Sequence, residues 1–200
     1  MTETKVRPAT VAELPAITEA MARAFYDDPI FSWFLPDDSK RQKALRLMFA
    51  TLGRKVYFPK GELYTVDGNQ AAAMWAPPDK WKLSIGQQIG LLPAMLRAMG
   101  MRTPTMLRAL TLMEKKHPKE LHYYLAVLGT DPSMQGKGLG SALLEQTLQR
   151  CDEEGLGAYL ESSSMGSRAL YYRHGFKEVE ELTFQDSPPF WLMWREPKAP

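Results

Sequence analysis

The sequence predicts a mixed α/β domain in which one sheet carries helices on both faces. Two observations predict it. From Leu121 to Arg195, apolar strand-like runs alternate with segments of helical period. In the first half, two short apolar runs meet at Asp67-Gly68, a dipeptide that favours a tight hairpin, so part of the sheet is antiparallel.

Lys5-Val6-Arg7 reads as a short first strand. Thr10-Val11-Ala12-Glu13 has the spacing of a capping box, in which threonine and glutamate side chains satisfy the free amides of a helix start. Leu14, Ile17, Met21 and Ala24 follow at helical spacing, and the helix stops before Asp27-Asp28-Pro29. Ser39-Lys40-Arg41-Gln42 predicts a second box, opening a helix through Leu45, Met48, Phe49 and Leu52 toward Gly53. Gly61 to Val66 and Ala71 to Trp75 form the hairpin, and Pro77-Pro78 ends it. Leu121 to Thr130 is a long strand, followed by a loop and a helix to Gly155. Ala158 to Ser162 is a strand and Ser167 to His174 a short helix. Two strands close the chain, near Val179–Phe184 and Phe190–Arg195.

Residues 84–116, between the hairpin and the long strand, read as two helices split by Gly100 and Pro104. Ile85, Ile89, Leu92, Leu96 and Met99 form one apolar stripe; Met106, Leu110 and Met113 form another. Five of the twelve methionines fall here, which makes it a deformable apolar surface. Such a pair closes the core, walls a substrate pocket, or does both.

The 200 residues form a single domain, 1–200, on the usual size scale. Lys plus Arg is 25 and Asp plus Glu 23, so 25 − 23 gives +2, no broad basic field for nucleic acid or for a membrane. One cysteine, Cys151, excludes an intramolecular disulfide and a cysteine-ligated metal cluster. His117, His122 and His174 lack metal-ligand spacing, so no metal is expected. Met1 to Lys5 lacks the layout of a secretory signal, and Leu83–Met101, with Gln87, Gln88, Pro93 and Arg97, is too polar for a span. A cytoplasmic protein is expected, as monomer or homodimer.

The strongest local signal lies between the long strand and the helix after it. Gly136, Gly138 and Gly140 bare the backbone where amides approach a ligand closely, and the helix start adds partial positive charge. Such a turn suits an anion such as pyrophosphate. It is neither a P-loop, because six residues separate Gly129 from Gly136-Lys137 and glycine follows the lysine, nor a G-x-G-x-x-G fingerprint.

The turn resembles the acyl-CoA loop Q/R-x-x-G-x-G/A of the GNAT acetyltransferases, with Gln135, Gly138 and Gly140 at the matching positions. Ala169 to Phe176 is similar to that family's A-x-x-Y-x-x-x-G-F helix, with Tyr171 four residues before Gly175. The order of elements matches over essentially the whole chain. The resemblance implies the acyl-CoA N-acyltransferase fold, with 84–116 as a helical insertion between strands three and four. It implies transfer of an acetyl group from acetyl-CoA to a primary amine of a small molecule, for instance an antibiotic. Cofactor contacts then fall on Leu128, Gly129, Thr130, Gln135, Gly136, Lys137, Gly138, Leu139, Gly140 and Ser141, with Ser167 standing in for an asparagine that many relatives carry.

Within the same resemblance Tyr171 is the acid that protonates the departing thiolate, and a bulge at Gly129 frees an amide for the thioester oxygen; a plain bend is the alternative. The base is Glu161 or His122, with Glu120 or a water relay as alternatives. Two other functions remain: transfer to a peptide amine, and a non-catalytic acyl-CoA-binding module. The intact glycine turn together with Tyr171 argues against the second.

Overall fold

The computed structural model describes residues 4–198; the amino-terminal reading at Met1–Glu3 lies outside them. Seven strands form one sheet: β1 (Val6–Pro8), β2 (Leu63–Val66), β3 (Ala71–Ala76), β4 (His122–Thr130), β5 (Gly157–Ser162), β6 (Lys177–Leu182) and β7 (Phe190–Arg195). Their order is β1-β2-β3-β4-β5-β7-β6. Only β4 and β5 run parallel. The mixed α/β sheet with helices is as the sequence predicts.

Two layers cover it. On one face lie α1 (Leu14–Ala24), α2 (Pro29–Phe34), α3 (Asp38–Leu52), α4 (Ile85–Met99) and α5 (Thr103–Lys116), whose Ile17, Met21, Leu45, Phe49, Leu91 and Met106 pack with Ala72, Met74 and Ala76. On the other, α6 (Leu139–Glu154) and α7 (Met165–Arg173) bury Leu143, Leu144, Cys151 and Tyr171 against Ala73, Trp75, Leu125 and Leu160. β3 therefore buries both its faces, which is why it reads as a continuous apolar run.

The Asp67-Gly68 turn and the Thr10–Glu13 box form as expected; the Thr10 amide donates to Glu13 Oε2 at 2.8 Å. Five elements differ from expectation. α3 is capped by Asp37, whose carboxylate accepts from the Ser39 amide, so it starts one residue before Ser39. α2 is a helix where none is predicted: Asp28, read as a stop, accepts from the Ile30 and Phe31 amides and caps it, with Pro29 at the first position. α7 begins at Met165 rather than Ser167 because Ser164 caps it, and β6 ends at Leu182. In α4 most of the predicted stripe is turned outward: Ile85, Ile89, Leu92 and Leu96 are exposed, and of its five residues Met99 alone packs inward, beside Leu91, Met95 and Ala98. α4 is apolar on two sides, so its period alone admits either face.

Among the described residues, no helix is long and apolar enough to cross a membrane, and no cluster of His, Cys, Asp and Glu is arranged to hold a metal ion.

Candidate active site

β4 and β5 pair from His122 with Gly157 to Leu125 with Leu160, and no further. β4 continues to Thr130, held by β3 alone. Residues 126–130 thus present one open edge to the gap between the strands, where backbone groups remain available to an extended ligand. The irregularity at this edge is at Ala126: Met74 pairs with Val127 and Trp75 with Leu125, which leaves Ala126 as the extra residue. This corrects the expected bulge at Gly129, which pairs regularly with Ala72. Glycine is needed at 129 for closeness. A Cβ there would stand 2.8 Å from Met21 Sδ, 3.0 Å from Phe25 Cε2 and 3.2 Å from Ala24 Cβ, so its bare Cα lets α1 lie against β4.

Past Thr130 the chain turns through Asp131, which accepts from the Ser133 amide and from Arg23 Nε at 2.6 Å. Gln135 Nε2 donates to the Thr130 carbonyl at 3.3 Å. Gly136 and Gly138 have φ of 76° and 81°, where side-chain-bearing residues are strained, and a Cβ at either position would enter open space. No side chain caps α6, so the amides of Leu139, Gly140 and Ser141 point out of the helix uncapped. Lys137 is exposed beside them. Bare amides, a positive helix end and open space fit a diphosphate. A Cβ at Gly140 would stand 3.4 Å from Leu170 Cδ2 of α7, so its bare Cα lets α7 lie close, and Ser141 Oγ lies 3.0 Å from His174 Nε2. At Ser141 it is the main chain that remains for a ligand.

α7 starts beside this turn. Ser164 caps it, and Ser167 Oγ bonds both Ser162 Oγ (2.7 Å) and Ser164 Oγ (2.9 Å), a hydroxyl cluster at the helix mouth. Tyr171 is buried against Phe176, ring centroids 5.8 Å apart, and its hydroxyl makes no hydrogen bond among the described residues. Burial and the nearby Asp28 charge push its pKa up, so it holds its proton. Tyr172 faces away: it is exposed and its hydroxyl donates to Glu178 at 3.0 Å.

Glu161 points to the opposite face of β5, into aromatic surroundings. Tyr124 Oη donates to its carboxylate at 2.8 Å. Tyr159 and Tyr57 stand nearby, each with its pKa raised by burial and by the Glu161 charge. Burial pushes the Glu161 carboxyl up to about 7, and the Tyr124 hydrogen bond only partly offsets this. His117, stacked on Trp81 at 3.5 Å, sets Nδ1 3.8 Å from Glu161 Oε1.

His122 is placed differently from Glu161. It is buried at the start of β4, with Nε2 3.0 Å from His117 Nε2 and Nδ1 2.6 Å from the Glu120 carbonyl. Both ring nitrogens are occupied, and His117 stands between it and Glu161. Glu120 itself is exposed. Sequence reasoning missed His117, Tyr124, Tyr57 and Asp28. Asp28 is largely buried, its pKa raised by that burial, and Ser163 Oγ donates to it from the loop after β5. Its signal was an Asp-Pro helix start; the histidine had none.

The acetyltransferase (GNAT) family matches residues 103–176, the span from α5 through β4, the glycine turn and α7. An uncharacterized N-acetyltransferase of Schizosaccharomyces pombe is 27% identical over 191 residues, 88% of this chain and 76% of that protein. A crystal structure of a histone acetyltransferase HPA2 and related acetyltransferase from Corynebacterium glutamicum is 28% identical, with a TM-score of 0.76 over 100% of this chain and 99% of its own. Polyamine N-acetyltransferase of Drosophila melanogaster, 17% identical, shares the fold, with a TM-score of 0.61 over 97% of this chain and 100% of its own. The matches support an enzyme of the GNAT N-acetyltransferase type.

Proposed function

We propose that this protein transfers the acetyl group of acetyl-CoA to a primary amine on a small molecule with an apolar or aromatic body, both substrates being bound at once. The observation that carries the reading is the parting of β4 from β5 beside the uncapped start of α6. Acetyl-CoA supplies an activated thioester carbonyl. The amides at Gly136–Ser141 hold its diphosphate, and the open edge at 126–130 holds its arm and turns an amide to the thioester oxygen as charge grows there.

Glu161 takes the proton of the entering ammonium, leaving a neutral nitrogen to form the new C–N bond. Its pKa near 7 suits that work at neutral pH. As the C–S bond breaks, Tyr171 gives its proton to the sulfur, and the second proton lost by the acylated nitrogen restores the phenol. The acceptor enters on the face of Glu161, where Phe31, Trp33, Trp81, Met95 and Phe184 are partly buried and mostly apolar. Transfer to an amphipathic amine follows from that lining, with puromycin a specific candidate. Ala71–Trp75, Pro118–Glu120, Gln135–Ala142 and Leu160–Ser163 resemble puromycin N-acetyltransferase, as does Met1–Glu3.

Release of free thiol from acetyl-CoA across an amine panel tests the reading. Turnover is expected with aromatic or aliphatic monoamines, puromycin included. Turnover confined to lysine-bearing peptides makes it a peptide acetyltransferase, and acetyl-CoA binding without any turnover makes it a binding module.

A further inference from the structure

The outward faces of α4 and α5 combine two properties that rarely meet on a solvated surface. Ile85 is 76% exposed, Ile89 66%, Leu96 51% and Met101, at the turn between the helices, 95%. Leu92 of α4 and Leu107 and Leu110 of α5 are exposed with them. Ile85, Ile89, Leu92 and Leu96 recur at helical spacing, so this is a stripe and not a scatter of single residues.

The charges on the same pair are segregated. Residues 85–116 carry Arg97, Arg102, Arg108, Lys115 and Lys116 against Glu114 alone, five cations to one anion. Since 5 − 1 gives +4 and the whole chain is +2, the remainder is 2 − 4 = −2. The near-neutral total hides a basic pole. Arg97, Arg108 and Lys115 have no ion-pair partner among the described residues, and all three are exposed.

We propose that the α4–α5 pair docks on an anionic lipid surface, its aliphatic stripe entering the headgroup boundary and its arginines and lysines meeting lipid phosphates. Exposed aliphatic residues flanked by unpaired cations match that surface in both chemistry and sign. A second copy of the chain would bring a +4 face against another +4 face, which opposes self-association there. A soluble polyanion such as RNA would use the cations and leave Ile85, Ile89 and Leu96 in water. The docking is peripheral, since neither helix is long and apolar enough to span. It would set the acceptor wall, whose inner side is Leu91 and Met95, against a reservoir of amphipathic amines.

Flotation of the full chain with vesicles tests this. Phosphatidylglycerol-containing vesicles are expected to carry about tenfold more protein than phosphatidylcholine vesicles, with the excess lost at high salt. The Ile85→Gln/Ile89→Gln/Leu96→Gln protein and the Arg97→Glu/Arg108→Glu protein are each expected to lose that binding while keeping the wild-type melting temperature, because every substituted side chain is exposed. Equal recovery with both vesicle types overturns the proposal, as does no binding by monomeric protein. It also fails if the glutamine protein binds as wild type, which would assign the surface to soluble polyanions. A wild-type dimer in sedimentation that these substitutions dissociate assigns it to self-association instead.

Discussion

His117 turns an unprotonated Nδ1 toward Glu161 Oε1, 3.8 Å away. The hydrogen-bond chain requires it. The Glu120 carbonyl only accepts, so His122 Nδ1 carries a hydrogen and neutral His122 accepts at Nε2. His117 then donates from Nε2 across 3.0 Å, which leaves its Nδ1 bare. Burial lowers the pKa of both rings, His117 to about 3, so both are neutral at working pH. The Glu161 carboxylate therefore receives no charge support from the imidazole beside it, in keeping with its raised pKa.

Substitution of Glu161 gives the first expectation. With the carboxyl at about 7, wild-type kcat/KM should rise with pH up to neutrality and then level. Glu161→Gln should lose that limb and fall about 100-fold or more in rate. Stability carries the opposite sign. A carboxyl whose pKa rises from 4.5 to about 7 on folding stabilises the fold fully below pH 4.5 and loses that contribution as pH climbs through 7. Above neutrality Glu161→Gln should therefore melt higher than wild type. An unaltered pH–rate limb in this variant removes Glu161 as the base.

The two adjacent tyrosines should separate cleanly. Tyr171→Phe removes a buried, unbonded hydroxyl and is expected to lower kcat about 100-fold while leaving the acetyl-CoA Kd within about twofold. Tyr172→Phe removes an exposed hydroxyl bonded to Glu178 and should stay within about twofold of wild type in both. Steady-state kinetics and calorimetry on the pair check this, and equal small effects would leave Tyr171 a packing residue.

Glycines 129 and 138 should fail in different ways. Gly138→Ala forces a side chain into φ of 81°, at a cost of ~1–2 kcal/mol that the chain relieves by reshaping the turn. Acetyl-CoA affinity should drop with little change in melting. Gly129→Ala drives a methyl against Met21 and Phe25 and is expected to cost ~1–3 kcal/mol of stability. That corresponds to a fall of at least about 2 °C in Tm. Thermal melts beside calorimetric titrations distinguish them.

The contrast between those glycines marks where sequence reading succeeds. Gly136 and Gly138 are legible because a left-handed backbone is a local demand, written beside a strand and a helix that frame it. Gly129 is misread because its demand comes from α1, distant in sequence, and closeness across a sheet leaves no local mark. The Asp67-Gly68 hairpin is legible for the first reason. The inward face of α4 is not, because Leu91 and Met95 have the same spacing as Ile85 and Ile89, and the packing of α4 on α3 decides between them. Glu161 is singled out in the sequence only as one of several candidate bases, and its burial among Tyr57, Tyr124 and Tyr159 comes from three separate elements. His117 is not found, since the loop that stacks it on Trp81 carries no periodicity. Asp28 shows how one signal hides another: Asp-Pro announces a break, and the same carboxylate starts the next helix.

Asp28 joins the loop before α2, on the proposed acceptor side, to the loop before α7, which carries Tyr171, through the Ser163 hydroxyl. It also caps α2 by accepting from Ile30 and Phe31, both at 3.0 Å. Asp28→Ala breaks both functions, so ~1 kcal/mol of cap stability should be lost and α2, with Phe31 and Trp33, should loosen. Acceptor KM is expected to rise about tenfold while acetyl-CoA affinity holds. Ser163→Ala keeps the cap and removes only the bridge, so its KM should rise by about threefold with a smaller loss of Tm than Asp28→Ala, in line with one neutral donor lost. If both substitutions instead weaken acetyl-CoA binding and spare acceptor KM, the bridge serves the cofactor side, and α2 is not part of the acceptor wall.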